Sequence, residues 1–126
     1  MRYVLLTLLA ISTSCNALAA SEEIDMKLGC KSNPKLIAAC FSVHGRLSSY
    51  NGSPSLRIWP RGTHRLLGII LDEELLSVPD NIKKLVDVDK DIYGDFLVCP
   101  FTEMKPGHMQ FVCVEEAKNV HVQNRP

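Results

Sequence analysis

The 126-residue chain predicts a mainly β protein, a small five-stranded barrel with one short helix between its third and fourth strands. Three observations predict it. Residues 41 to 48 alternate apolar and polar side chains, the period-two pattern of a half-buried strand. Two turn signals, Asn51-Gly52 and Pro60-Arg61-Gly62, follow at hairpin spacing. The one helical signal stands between this stretch and two later strand-like runs, so helix and strands do not alternate as they do in parallel α/β folds.

In the first strand Phe41, Val43 and Leu47 alternate with Ser42, His44, Arg46 and Ser48. Gly45 falls on the apolar side and marks a bend or a close backbone contact. A two-residue Asn51-Gly52 turn of type I′ needs positive φ at both positions, which these residues tolerate. It sets Leu47 opposite Leu56, Arg46 opposite Arg57 and His44 opposite Trp59. Leu47, Leu56 and Ile58 then point inward, with His44, Arg46, Arg57 and Trp59 outward, so turn chemistry and alternation agree. A three-residue loop at Pro60-Arg61-Gly62 places Leu56 opposite Leu66 and Arg57 opposite Arg65. Arg46, Arg57 and Arg65 would form one row across three strands, with Trp59 and His44 beside it. Like charges facing each other in a sheet cost roughly 0.2–1 kcal/mol per pair, so an anion should cover them.

Beyond Leu71 the pattern changes. Pro79-Asp80 opens a short helix in which Ile82, Leu85 and Val86 share one face. Strands resume over Tyr93 to Phe101, interrupted near their start by Gly94, and over Met109 to Glu116, with Pro106-Gly107 between them. Residues 21–35 read as an extended lead-in, 36–118 as the barrel domain and 119–126 as a flexible polar tail.

The start is of another kind. Met1-Arg2, the apolar run Tyr3 to Ile11 and the exit Ala17-Leu18-Ala19 have the form of a secretory signal over residues 1–20, cleaved near Ala19 or Ala20. The run is too short for a transmembrane span. A rival reading makes Cys15 a lipid-carrying cysteine of a lipoprotein, although the usual Leu three residues earlier is missing. Removing the leader also removes Cys15, leaving Cys30, Cys40, Cys99 and Cys113, and an even count in an exported chain implies two disulfides. Metal binding needs closely spaced ligand pairs, whereas the nearest two of these cysteines, Cys30 and Cys40, are ten positions apart. Cys99 and Cys113 flank Pro106-Gly107 symmetrically, which suggests Cys99–Cys113 with Cys30–Cys40. The alternative is Cys40–Cys99 with Cys30–Cys113.

The run VHGRLSSYNGSPSLRIWPRGTHRLLG, followed by GDFLVCPFT and MQFVCVEEA, resembles an uncharacterised family of small exported bacterial proteins over roughly Cys30 to Ala117. The resemblance implies a single exported domain and brings no activity with it. The order of elements is separately similar to that of an OB-fold barrel.

Formal charge is zero, which implies no bulk attraction to nucleic acid or anionic lipid. Its distribution is uneven. Cys40 to Leu71 holds Arg46, Arg57, Arg61 and Arg65 without an acid, whereas Asp72 to Asp95 holds eight acids against Lys83, Lys84 and Lys90. No G-x-S-x-G, H-E-x-x-H, phosphate loop or dinucleotide fingerprint is present, so catalysis, cofactor and metal are not expected. Asp95 is the one acid worth watching, though an acid at a strand start is commonly a turn former. Two functions fit. One is a periplasmic or secreted binding module whose Arg46, Arg57, Arg65, Trp59 and His44 meet an anionic or glycan-like envelope ligand, with nucleic acid an unsuitable partner. The other is a structural or interaction subunit of the envelope whose arginine row is neutralised by the acidic segment or by an envelope protein. Each residue also has a plainer role: His44 packing on Trp59, Trp59 capping the barrel, Tyr50 flanking a turn.

Overall fold

A computed structural model of the chain describes residues 29–70 and 78–126. The signal segment, Cys15, most of the lead-in and the acids Asp72, Glu73 and Glu74 lie outside the described residues. A 3-10 turn at Cys30–Ser32 precedes β1 (Phe41–Ser49), β2 (Leu56–Pro60), β3 (Leu67–Ile69), a four-residue helical turn α1 (Asp80–Lys83), β4 (Lys90–Pro100) and β5 (Gln110–Asn124). β1 pairs antiparallel with both β2 and β4, β2 with β3 and β4 with β5, while β3 and β5 run parallel. The five strands therefore close as β1-β2-β3-β5-β4.

Alternation decides what fills the interior. Leu47, Leu56, Ile58, Leu67, Ile69, Ile92, Phe96, Val98, Val112 and Val114 form one buried cluster, joined by Ile82 from α1. Leu85 and Val86 pack against it, as the spacing with Ile82 requires. Burial of Ile82 alone contributes roughly 1.5–3 kcal/mol. Gly45 faces this interior, where a β-carbon would lie 2.4 Å from the Trp59 carbonyl oxygen, so the expected close contact is real.

Both hairpin registers differ from expectation. β1 and β2 pair Arg46 with Trp59, Leu47 with Ile58 and Ser48 with Arg57. The connection is not a two-residue turn but the segment 50–55, closed by Tyr50 N–H donating to the Ser55 carbonyl (2.7 Å). Pro54 is the reason: a tight turn would set it opposite Ser49 inside the ladder, where it has no N–H to donate. The slip is two residues, so every side chain keeps its face. Between β2 and β3 the slip is three. Ile58 meets Leu67 and Arg57 meets Gly68, which takes Leu66 out of the core and puts Leu67 in. Thr63 is responsible. Its N–H and hydroxyl both donate to the Pro60 carbonyl, its hydroxyl accepts from Arg65 N–H, and its carbonyl accepts from Trp59 Nε1. These local bonds hold residues 63–65 away from the ladder.

The tail is also not loose. β5 continues to Asn124, with Val120 and Val122 packed on the core. Asn119, at φ 53°, absorbs an irregularity opposite Gly94 and restores the pairing of Tyr93 with His121. Asn accepts this left-handed conformation more readily than most residues.

Cys99 and Cys113 do stand directly opposite each other in β4 and β5, yet each bonds elsewhere. The bridges are Cys30–Cys113 and Cys40–Cys99, and the pairing Cys99–Cys113 with Cys30–Cys40 is incorrect. The lead-in runs beside both strands. Lys31 N–H donates to Glu115 on β5, and Ile37 N–H donates to the Pro100 carbonyl on β4. This course delivers Cys30 to one strand and Cys40 to the other. Cys30, Cys99 and Cys113 form a second small core with Leu36, Cys40 and Phe101.

Candidate binding face

Because β2, β1, β4 and β5 are consecutive in the wall, their outward residues line up by register. One cross-strand line runs Trp59, Arg46, Tyr93, His121. The Arg46 guanidinium lies 5.0 Å from the Trp59 ring centre, and the Tyr93 and His121 rings stack at 5.2 Å with an 11° angle between their planes. The neighbouring line is Arg57, Ser48, Asp91, Gln123. Arg57 lies 5.1 Å from the Tyr50 ring centre and its Nε donates to the Pro54 carbonyl (3.0 Å). Arg125 approaches the same ring at 5.4 Å. On the other side of the Arg46 line, His44 faces Asp95, with Nδ1 and Oδ1 2.6 Å apart.

Arg46, Arg57, Trp59 and His44 thus share one outer face. Arg65 does not. The three-residue slip leaves it in the β2–β3 connection, donating to Gln110 Oε1 (2.7 Å) and lying 5.9 Å from the Phe41 ring centre. The row of three arginines is therefore two.

Among the described residues of the acidic segment, Asp91 and Asp95 reach this face, and both are engaged. Asp91 accepts from the Ser48 hydroxyl (2.6 Å) and from Arg125 Nε (2.9 Å). Burial pulls its pKa upward, but those two hydrogen bonds and the charges of Arg125 and Arg46 outweigh burial and hold it below the usual carboxylate value. Asp95 is also lowered, first by the Asn119 amide (2.8 Å) and then by His44. Burial works against the charge on Arg46, yet Tyr50, Asp91 and Tyr93 outweigh it and raise its pKa. Among the described residues no carboxylate lies within 4 Å of the Arg46, Arg57 or Arg65 guanidinium. Arg46 Nε is buried and has no hydrogen-bond partner among them. Aromatic faces, rather than acids, hold Arg46 and Arg57 in place.

Compared with known protein families, curated proteins and solved structures, the chain matches none.

The face presents fixed rings and fixed cations side by side. Trp59, 41 % exposed, is fixed by its indole N–H on the Thr63 carbonyl (2.7 Å), so its ring is a presented surface and not a core plug. Fixed guanidinium groups beside fixed rings suit carboxylate, sulfate or phosphate groups and the apolar faces of sugars. His44 and Asp95 form a base with its orienter. Among the described residues the partner of that imidazole is the Asp95 carboxylate.

Sequence reasoning missed Tyr93, Asp91, His121 and Arg125, and it treated Tyr50 as a turn flank. Tyr93 had a readable signal, since Asp91, Tyr93 and Asp95 alternate with Ile92 and Phe96. Arg125 had none, because a polar C-terminal octapeptide carries no period strong enough to mark a strand.

Proposed function

We propose that the protein is an exported, non-catalytic binding module whose outer wall takes an anionic or glycan-like envelope ligand. The observation that carries this reading is the line Trp59–Arg46–Tyr93–His121, flanked by Arg57, in which the cations lie over rings and form no ion pair within 4 Å with a carboxylate of the described residues. The alternative is a structural or interaction subunit of the envelope whose arginine row is neutralised by acidic residues; among the described acids of the segment, Asp91 and Asp95 are already committed to Ser48, Arg125, His44 and Asn119. Strand order with a parallel β3–β5 closure and a helical turn between β3 and β4 supports an OB-like barrel, a scaffold suited to ligands on its wall. Two disulfides support an oxidising compartment, periplasmic or secreted.

The test is retention of the oxidised protein on immobilised dextran sulfate, with neutral dextran as the comparison. Arg57→Ala should elute at lower salt, because a protein with one cation fewer on the polyanion displaces fewer counterions and holds on less tightly as salt rises. Trp59→Ala should lose any retention on neutral dextran. Unchanged elution of both variants, with circular dichroism showing an intact fold, would reject the proposal.

A further inference from the structure

A cavity of about 530 Å³ opens between the β2–β3 connection and the β4–β5 loop, away from the line on the outer wall. Its volume is in the range of small-molecule sites. Leu66, Met104 and Met109 give it apolar walls. Met109 is seated on bare backbone: a β-carbon at Gly68 would lie 2.5 Å from its sulfur. Every residue of the lining with a full charge is a cation, namely Arg65 and Lys105, and His64 and His108 add ring nitrogens.

Arg65 is the best-placed of these. Gln110 is buried, and its amide is held at both ends: Nε2 donates to the Thr102 carbonyl (3.0 Å), and Oε1 accepts from Arg65 Nη2 (2.7 Å). That chain of bonds anchors one corner of the guanidinium to the sheet. Its remaining side-chain N–H groups make no hydrogen bond to the described residues. A guanidinium positioned by Gln110, at the lip of a thioether-lined hollow, suits a molecule with one anionic end and one apolar end.

We propose that this cavity binds a small amphipathic carboxylate, its head on Arg65 and Lys105 and its hydrocarbon against Leu66, Met104 and Met109. This site is separate from the outer wall and does not rest on the reading of that surface.

Octanoate is the probe, titrated into oxidised full-length protein and followed by amide shifts in two-dimensional NMR and by calorimetry. Shifts should concentrate in residues 63–66 and 104–110. Octanol should bind about tenfold more weakly, as should octanoate to Arg65→Gln, the effect expected when one charge-assisted hydrogen bond is removed. Lys105→Gln, on an exposed loop, should weaken binding severalfold, and Lys83→Gln on α1 should leave it unchanged. Octanol binding as tightly as octanoate would overturn the carboxylate, and inorganic phosphate binding as tightly would overturn the apolar wall. Shifts scattered over the whole protein, or full affinity in both Arg65→Gln and Lys105→Gln, would overturn the site. A change in dextran sulfate retention with unchanged octanoate binding would bear on the outer wall alone.

Discussion

At Asp91 a single carboxylate ties three segments of the molecule together. It accepts from Ser48 on β1 and from Arg125 beyond β5, and Arg125 in turn donates to the Ser49 carbonyl (2.7 Å). Because its pKa in the folded protein lies below the unfolded value, its contribution to stability is complete above the unfolded pKa. It is lost as pH falls through the folded pKa. Urea midpoints measured from neutral pH downward should therefore decline below about pH 4. Asp91→Asn, which has no proton to gain there, should show a shallower decline and should start about 1–3 kcal/mol less stable, because the partly buried Arg125 loses its counter-charge. Parallel acid slopes in the two proteins would refute the assignment. Gly45 makes a different point at the same scale. Its period-two position showed which face it occupies, but only the Trp59 carbonyl explains why no side chain can stand there. Arg65 makes the converse point, since nothing about an arginine four residues after a proline-arginine turn reveals that Gln110, far along the chain, will hold it.

Among elements, the strands were more legible than their connections. The alternation in β1 and β2 identified the inward residues correctly, because apolar burial acts on every second side chain and tolerates a slip of two. The slip of three before β3 reversed a face, because Thr63 supplies hydrogen bonds that compete with the ladder and only tertiary packing chooses between them. β5 is the element most underestimated by sequence. Its last third carries Val120 and Val122 at the core edge and His121 in the stack with Tyr93, and just beyond it Arg125 N–H donates to the Asp89 carbonyl (2.8 Å). Removing residues 119–126 should thus destabilise the protein by about 3 kcal/mol or more, because two valines no longer bury and Asp91 loses its ion pair with Arg125. A truncated chain with the full-length urea midpoint would show this segment to be dispensable. The Trp59–Arg46–Tyr93–His121 line depends on the same pairing, so the truncation should also weaken dextran sulfate retention.

For the molecule as a whole, two bridges hold the lead-in across β4 and β5. They join residues 83 and 59 positions apart, so each restrains a large part of the unfolded chain. Reduction, or paired Cys40→Ala and Cys99→Ala replacement, should cost about 2–5 kcal/mol per bridge, read as a fall in the urea midpoint with and without reductant. Equal midpoints would show that the closed sheet needs no staple. The β class, the inward side chains of β1 and β2, the apolar face of the helical turn and the presence of four cysteines suited to pairing can all be read from the amino acids alone. They follow from local chemistry, since alternation, turn residues and cysteine count are properties of neighbouring positions. Packing at long range selected the rest: which cysteines meet, the closure of β3 on β5, the departure of Arg65 from the arginine row to a cavity, and the extension of the outer face by Tyr93 and His121. Each of those is a pairing between residues distant in the chain, chosen by competition between hydrogen-bond partners and core packing, and such a choice leaves no mark on local periodicity.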